Sequence, residues 1–443
     1  MAELRAGAGR AAITPDIGCH IPGYYEDRVA VDIHGELYAK ALVLNSGDTS
    51  LAICVCDVIG LAQGDVEKAK AQAEALTGIP AANILVQATH THYGPATTDG
   101  YEIARDEAYM ERLPGRIATA IRLAQNRLRP AVVGDASAQC PGEVFNRRFW
   151  MKDGSVQMNP TPGPEIVRPA GPTDPEIGAL VVLDTERRPI AVLANYALHY
   201  VGGPGVLDTI VHADYFGAFD RALQRLAGAD FVGMMMNGCC GDINHIDVSR
   251  RTSYPHPFSE IDRVAEVVAG HTYAAWRGIR DYQAEVTLGA ANAVQRVRRR
   301  EVTPERLALA KERLAQVKRE GLRGPATSQP DFLFDVTATE IYDTPPVWEL
   351  PVQAVRIGDL GLAALHSEVF VEIGLDIKRR SPFPRTLVAE LANGQLGGYI
   401  PTDRAYDEGS YEVWSTPAER GTGEELANVA VGLLEELARG DTV

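Results

Sequence analysis

The sequence predicts a mixed α/β fold, a mixed β-sheet core flanked by helices, with its reactive groups gathered at strand ends. Two observations carry the prediction. Short apolar runs at 51–59, 84–88, 179–183, 190–194, 231–236, 360–365 and 387–391 have the length of buried strands and lack helical spacing. Between them, segments at 65–76, 109–128, 215–226 and 261–276 are long enough for helices, with Pro114 expected to interrupt the second or begin a turn within it.

Later in the chain, Thr303-Pro304-Glu305 is a helix-start signal, and Leu307, Ala310, Leu314 and Val317 follow as a stripe of helical period. An exposed amphipathic excursion over 303–320 is expected. The Pro/Gly-rich stretches 160–175 and 321–330 read as long loops, which in compact enzymes shape a site mouth and select substrates. No internal repeat and no low-complexity linker is evident.

Composition narrows the partners. Across 443 residues the chain is 45% hydrophobic and 23% charged, ordinary for a globular protein, with a formal net charge of −16. That charge repels a phosphate backbone, and the basic run at 296–300 is too short to reverse it, so nucleic acid is excluded as a partner and a small-molecule substrate is expected. No stretch approaches the roughly 18 apolar residues of a membrane span, and the start lacks an apolar leader, so the expectation is a cytoplasmic protein. Six cysteines without a Cys-x-x-Cys pair, Cys54 and Cys56 among them inside an apolar run, read as reduced structural thiols rather than a zinc site.

Followed to their ends, five runs lead into reactive side chains, as strand exits of α/β folds tend to do. They lead to Thr89-His90-Thr91-His92, to His199, to Asn237-Gly238-Cys239-Cys240-Gly241-Asp242, to His366-Ser367-Glu368, and through Asn393 to Tyr399. In an extended exit His90 and His92 share a face about 7 Å apart, so that one can bind metal while the other handles protons. Each residue has a structural alternative: hydrogen-bonded histidines, Glu368 capping the helix that follows, packing for Cys239 and Cys240. Together they fit a metal, since zinc takes imidazole nitrogen and carboxylate oxygen, and His90, His199 and Glu368 supply three ligands. Zinc so held polarises a carbonyl and acidifies water. The 237–242 turn lacks the Lys-Ser/Thr of a phosphate loop and reads as structural. Asp57 and Asp242 are candidates to orient the histidines from behind.

These segments resemble the neutral, non-lysosomal ceramidases, zinc amidases that cleave the N-acyl bond of ceramide. The resemblance rests on Thr-His-Thr-His-x-Gly-Pro at 89–95, Asn146-Arg147, the strand leading to His199, Ala213-Asp214-Tyr215, Gly241-Asp242, the Glu368 turn, and Gly398-Tyr399-Ile400-Pro401-Thr402 with Tyr411 twelve residues after Tyr399. It covers most of the chain and implies one ceramidase-like zinc hydrolase domain over 1–443. By the resemblance, His90, His199, Glu368 and Tyr399 ligate zinc, while His92, Arg147 and Tyr411 surround the water and scissile carbonyl. Tyr399 depends on it most, because a phenol of pKa about 10 ligates only when a cation favours the phenolate.

Three departures bear on the substrate. The chain ends soon after the second tyrosine, where longer ceramidases add an immunoglobulin-like domain. The family's Gly-Asp-x-Ser-Pro-Asn loop is Gly241-Asp242-Ile243-Asn244-His245-Ile246 here, with Asn244 at the serine position, which argues against a serine nucleophile. No membrane-facing apolar stretch accompanies the site. The expectation is hydrolysis of an amide in a small soluble substrate; an esterase or lactonase on the same zinc site, or a noncatalytic binding protein retaining the fold, are the alternatives.

Overall fold

The computed structural model describes residues 3–201, 206–250, 258–321 and 325–440. Eight strands form the larger sheet: β1 (Leu4–Ala12), β2 (Tyr38–Ser46), β3 (Thr49–Cys56), β4 (Ile84–Ala88), β5 (Arg129–Gln139), β6 (Glu176–Asp184), β7 (Pro189–Tyr196) and β8 (Val232–Asn237), in spatial order β8-β7-β6-β5-β1-β2-β3-β4. A four-stranded sheet follows, β9 (Leu288–Arg298), β10 (Val347–Ile357), β11 (Leu360–Ala364) and β12 (Arg385–Ala389), in the order β9-β10-β11-β12. The main helices are α1 (Gln63–Thr77), α2 (Glu107–Asn126), α3 (Asp214–Ala227), α4 (Ser259–Gly278), α5 (Pro304–Glu320), α6 (Pro330–Ile341), α7 (Val371–Arg380) and α8 (Thr422–Arg439). The mixed α/β fold class is therefore as the sequence predicts.

A repeat that the residues do not display emerges in the order of elements. Three times the chain makes a strand, a long connection, an antiparallel hairpin, a crossover helix to a parallel fourth strand, and a closing helix: β1-β2-β3-α1-β4-α2, β5-β6-β7-α3-β8-α4, and β9-β10-β11-α7-β12-α8. Antiparallel pairing of β1 with β5 joins the first two units into one sheet. The long connections 13–37, 140–175 and 299–346 occupy the same position in each unit.

Side-chain alternation decides the layering. In β2 and β3, Leu42, Leu44, Leu51, Ile53 and Val55 turn toward the second sheet, while the smaller Ala39, Ala41, Ala52, Cys54 and Cys56 turn toward α1 and α2. Large residues from both sheets, including Leu180, Leu193, Met234, Leu362 and Leu387, form a shared core. The opposite faces are covered by α1 to α4 on one sheet and by α7 and α8 on the other, giving helix, sheet, sheet and helix layers. With both faces of β3, β4, β6, β7, β8, β11 and β12 buried over most of their length, their runs read as continuous apolar stretches. All six cysteines are buried and unpaired in disulfides.

Several expectations change. Pro114 lies buried inside a continuous α2 instead of interrupting it, held by Met110, Leu113, Ile117 and Ile121 on the helix's packed face. Of the predicted 321–330 loop, residues 322–324 lie outside the described residues; the remainder is a short 3-10 turn, Ala326–Ser328, followed by α6 with Pro330 in its first turn. The 160–175 segment carries a short strand, Ile166–Pro169, paired with Arg148–Met151. The 303–320 excursion is α5, capped by the Thr303 side chain accepting from Arg306 N at 3.2 Å, with only Ala310 fully buried. Among the described residues no helix is long and apolar enough to cross a membrane.

Close packing of α2 on β1 depends on Gly7, where a Cβ would lie 2.2 Å from the Ala124 carbonyl oxygen and 2.8 Å from the Arg127 backbone. Gly7→Ala is expected to cost about 1–3 kcal/mol by overpacking. Gly142→Ala, with nothing within 4 Å of the added carbon, serves as the neutral comparison. Urea unfolding of the two variants checks this; equal midpoints would refute the packing account.

Candidate metal centre

The site forms where exits from the three units meet. Beyond β4 the chain turns through His90, whose φ of 68° is left-handed, with His90 N donating to the Val58 carbonyl at 3.0 Å. His199 follows β7 by three residues, and Glu368 follows β11 by four, after Ser367 at φ 62°. Ser410, at φ 80°, precedes Tyr411. Each such non-glycine residue costs on the order of 1–3 kcal/mol, so the surrounding packing has to impose these turns.

Three imidazoles converge. His92 Nε2 lies 3.2 Å from His90 Nε2 and 3.2 Å from His199 Nε2, and the three rings are buried. Glu368 completes the group, with Oε2 at 3.4 Å from His90 Nε2 and 3.8 Å from His199 Nδ1. Glu368–Val369 pairs in parallel with Tyr399–Ile400, Glu368 directly opposite Tyr399. Tyr399 and Tyr411 meet edge to face with ring centroids 5.5 Å apart. All seven residues singled out in the sequence therefore come to one place.

Hydrogen bonds behind the rings set the tautomers. His90 Nδ1 is 2.7 Å from the Ile59 carbonyl and His92 Nδ1 is 3.1 Å from the Gly23 carbonyl. A carbonyl only accepts, so both Nδ1 atoms carry hydrogen and both Nε2 lone pairs face the cluster. Arg147 Nη1 approaches His199 Nδ1 at 3.1 Å, and a guanidinium only donates, so this contact selects a proton on His199 Nε2. Burial lowers the basicity of all three histidines. At His90 burial is outweighed by the Glu368 charge and the bond to the Ile59 carbonyl, and its pKa is raised. His92 is held well below the ordinary value by burial and by the charges of His90 and Arg28; His199 likewise, by burial, His90 and Arg147.

This donor set fits a metal ion. His90, His92 and His199 offer ligand atoms all within 4.8 Å of one another. Glu368 Oε2 is buried and finds no well-aligned hydrogen-bond donor, a costly arrangement for a carboxylate unless a cation meets it. His199 joins once its Nε2 proton is displaced, as ligation of imidazole requires. Glu368 is thus no helix cap; Asp242 does that, its Oδ1 accepting from Val371 N at 2.8 Å.

Other assignments change with it. Asp57 and Asp242 do not orient the histidines: Asp57 accepts from Tyr38 N, and Asp242 from Asn146 and Val371, while backbone carbonyls and Arg147 hold the rings. The 237–242 turn is structural, as expected, because its N–H groups are committed: Gly238 N to Tyr196 O, Cys240 N to Glu390 Oε2, and Gly241 N to Val369 O. A Cβ on Gly241 would lie 2.8 Å from the Glu368 carbonyl oxygen, so glycine permits the close approach. Cys240 Sγ contacts Glu390 Oε1 at 2.9 Å, and burial pushes both cysteine thiols far up, leaving them packed and inert. Asn244 donates to Asn159 Oδ1 at 2.8 Å, tying the strand pair that carries Arg147.

Sequence reasoning missed two buried acids. Glu412, fully buried, accepts from Arg147 Nε and from Arg148 Nη1, each at 2.8 Å, and stays ionised: burial opposes this, but the charges of Arg147 and Arg148 outweigh it. Glu390 Oε2 accepts from Val369 N at 2.7 Å beside Glu368, and burial pushes its carboxyl up to about 8. Their one sequence signal is an acid next to a candidate, Glu412 after Tyr411, or inside an apolar run, Glu390 after Val388-Ala389. Arg147 is correspondingly no solvated charge. It also donates to the Gly241 carbonyl at 2.6 Å, and its guanidinium sits 5.1 Å from the Tyr399 ring centroid.

No protein-family model matches the chain, and no curated protein matches it in sequence. Solved structures do. A crystal structure of neutral ceramidase from Pseudomonas aeruginosa superposes with a TM-score of 0.78 at 18% identity, covering 100% of this chain and 76% of that one. A structure described as ceramidase complexed with C2 gives a TM-score of 0.77 at 18% identity, covering 99% of this chain and 76% of that one. The four layers that bring His90, His199 and Glu368 together are those of the neutral ceramidase fold.

Proposed function

We propose that the chain is a zinc-dependent hydrolase that cleaves an amide, N-acyl bond in a small soluble substrate, with residues 1–443 forming one catalytic unit. The observation carrying this is the buried carboxylate oxygen of Glu368, without a donor, facing two histidines in a ceramidase-like fold. On this reading His90, His199, Glu368 and Tyr399 hold the zinc. Bound there, zinc supplies a Lewis acid for the carbonyl oxygen and a water acidified toward neutral pH.

The protein's own groups do the rest. His92 keeps Nδ1–H on the Gly23 carbonyl, so its Nε2 lone pair is the acceptor for a proton, and its depressed pKa keeps it neutral before it accepts one. Tyr411, joined to Tyr399 and Tyr25 through their phenols, is the donor positioned for the substrate oxygen. Arg147 works from behind: its fork fixes His199, and its charge opposes the burial and Glu368 charge that raise the Tyr399 pKa. Six buried, reduced thiols favour a cytoplasmic setting.

Metal analysis coupled to hydrolysis of matched amides and esters, before and after chelation and zinc restoration, tests the reading. About one zinc per chain and chelator-sensitive amide cleavage are expected. Turnover retained in the metal-free protein would defeat it, and cleavage of the esters alone would move the assignment to an esterase. His90→Ala and Glu368→Ala are expected to lose both zinc and turnover, whereas His92→Ala keeps most of its zinc and loses turnover.

Arg147→Lys keeps the charge and loses the fork, so zinc affinity is expected to fall about 10–100-fold as the hold on His199 is lost. Competition with a chelator measures it; unchanged affinity would separate Arg147 from the metal site. Glu412→Gln takes from buried Arg147 its carboxylate partner, while Arg148 keeps Glu408, and is expected to cost about 3–5 kcal/mol in denaturant unfolding.

A further inference from the structure

Arg28 is a buried cation that lies against His92, outside both the donor set and the Arg147 fork. It closes a hairpin within the 13–37 connection. Gly18 N donates to the Ala30 carbonyl at 2.9 Å, Ala30 N to the Cys19 carbonyl at 2.9 Å, and Ile21 N to the Arg28 carbonyl at 2.7 Å. Beyond that last bond the tip residues Gly23, Tyr24, Glu26 and Asp27 are exposed.

The Arg28 side chain anchors this tip to His92. Its Nη2 donates to the Pro22 carbonyl and, at 2.8 Å, to the His92 carbonyl. A closed circuit results, running from Arg28 through Pro22 to Gly23, whose carbonyl lies 3.1 Å from His92 Nδ1, and through His92 back to Arg28. The guanidinium carbon also stands 4.2 Å from the centroid of the Tyr24 ring, which meets His92 edge-on at 6.1 Å, and 5.3 Å from that of Tyr93. Gly23, at φ 104°, permits the approach: a Cβ there would lie 2.3 Å from His92 Nδ1.

Stability gives no reason for a charge at this place. Nε and Nη1 of Arg28 are buried and find no hydrogen-bond acceptor among the described residues, and the ion pair from Nη1 to Asp208 Oδ1 is 3.9 Å long. A buried cation so compensated is costlier than an apolar side chain of its volume. What the guanidinium adds is geometry: a plane that lies against aromatic rings while one nitrogen bridges two carbonyls. Resting on the amide-hydrolase reading, in which His92 accepts the proton, we propose that Arg28 is the positioning residue for His92. It locks the hairpin tip so that the Gly23 carbonyl holds the imidazole with Nε2 toward the cluster.

Proton NMR of the chain with nitrogen-labelled histidine, in the presence of zinc, tests this without turnover. The His92 Nδ1–H, assigned by its loss in His92→Ala, is expected to exchange slowly with solvent in the wild type and at least about tenfold faster in Arg28→Lys, which keeps the charge and loses the fork. Gly23→Ala, which displaces the same carbonyl, is expected to do the same, and the double variant to be no worse than either single one. On an amide substrate, kcat is expected to fall about 10–100-fold in Arg28→Lys with KM and zinc content little changed. Slow exchange or full kcat retained in Arg28→Lys, or additive effects in the double variant, overturns the inference. So does loss of the fold in Arg28→Lys, which would make Arg28 a core ion. Exchange that depends on Arg28 in a wild type cleaving no amide would sink the hydrolase reading and leave the hold on His92 standing.

Discussion

The face-to-face packing of two sheets is the constraint from which the site follows. Leu and Met side chains such as Leu180, Leu193, Met234, Leu362 and Leu387 leave water between the sheets, and area buried on this scale is the dominant favourable term in folding. His199 sits beyond a strand of the first sheet and Glu368 beyond a strand of the second. Only the common core fixes their separation at 3.8 Å. A shift between the layers would part ligand atoms that no local sequence feature holds together.

That core also sustains strain that isolated turns would relieve. His90 and Ser367 adopt left-handed backbone next to the cluster, and Ser410 does so beside Tyr411. Glu368 Oε2 is buried without a donor, and Arg147 and Glu412 form an ion pair sealed from solvent. Each feature costs folding energy on its own. They share one location, and each constrains a side chain that a reaction would need held still, with His90 fixed by Ile59, His199 by Arg147, and Arg147 by Glu412.

The threefold repeat of elements explains how one fold gathers these parts. Equivalent exits deliver Ile59, whose carbonyl orients His90, then His199, then Glu368. Equivalent long connections bring Gly23 and Tyr25 from 13–37, Arg147 from 140–175, and α6 from 299–346. The exits build the floor of the site and the connections its surround. A shared fold at 18% identity to the ceramidase structures is compatible with such layers, since a buried core tolerates exchange of one apolar residue for another of similar volume.

The sequence made seven of the twelve strands and helices α1 to α5 and α7 legible, because apolar runs bounded by turn residues leave few other ways to bury them, whereas β1, β2, β5, β9, β10 and α8 went unread. It also set out His90, His92, His199 and Glu368 beyond such runs, while Tyr399, Arg147 and Tyr411 joined them through the resemblance to ceramidases. It misjudged Pro114, whose missing N–H costs one bond while the packed face of α2 supplies many contacts, and it missed α6, a short segment without a clear apolar period. Packing of the layers settles which backbone carbonyls set the histidine tautomers, that Asp242 caps α7 instead of supporting a ring, and that Glu412 and Glu390 stand behind the cluster. The reason is distance along the chain: Arg147 and Glu412 are 265 residues apart, and their contact is a product of packed layers that no local pattern encodes.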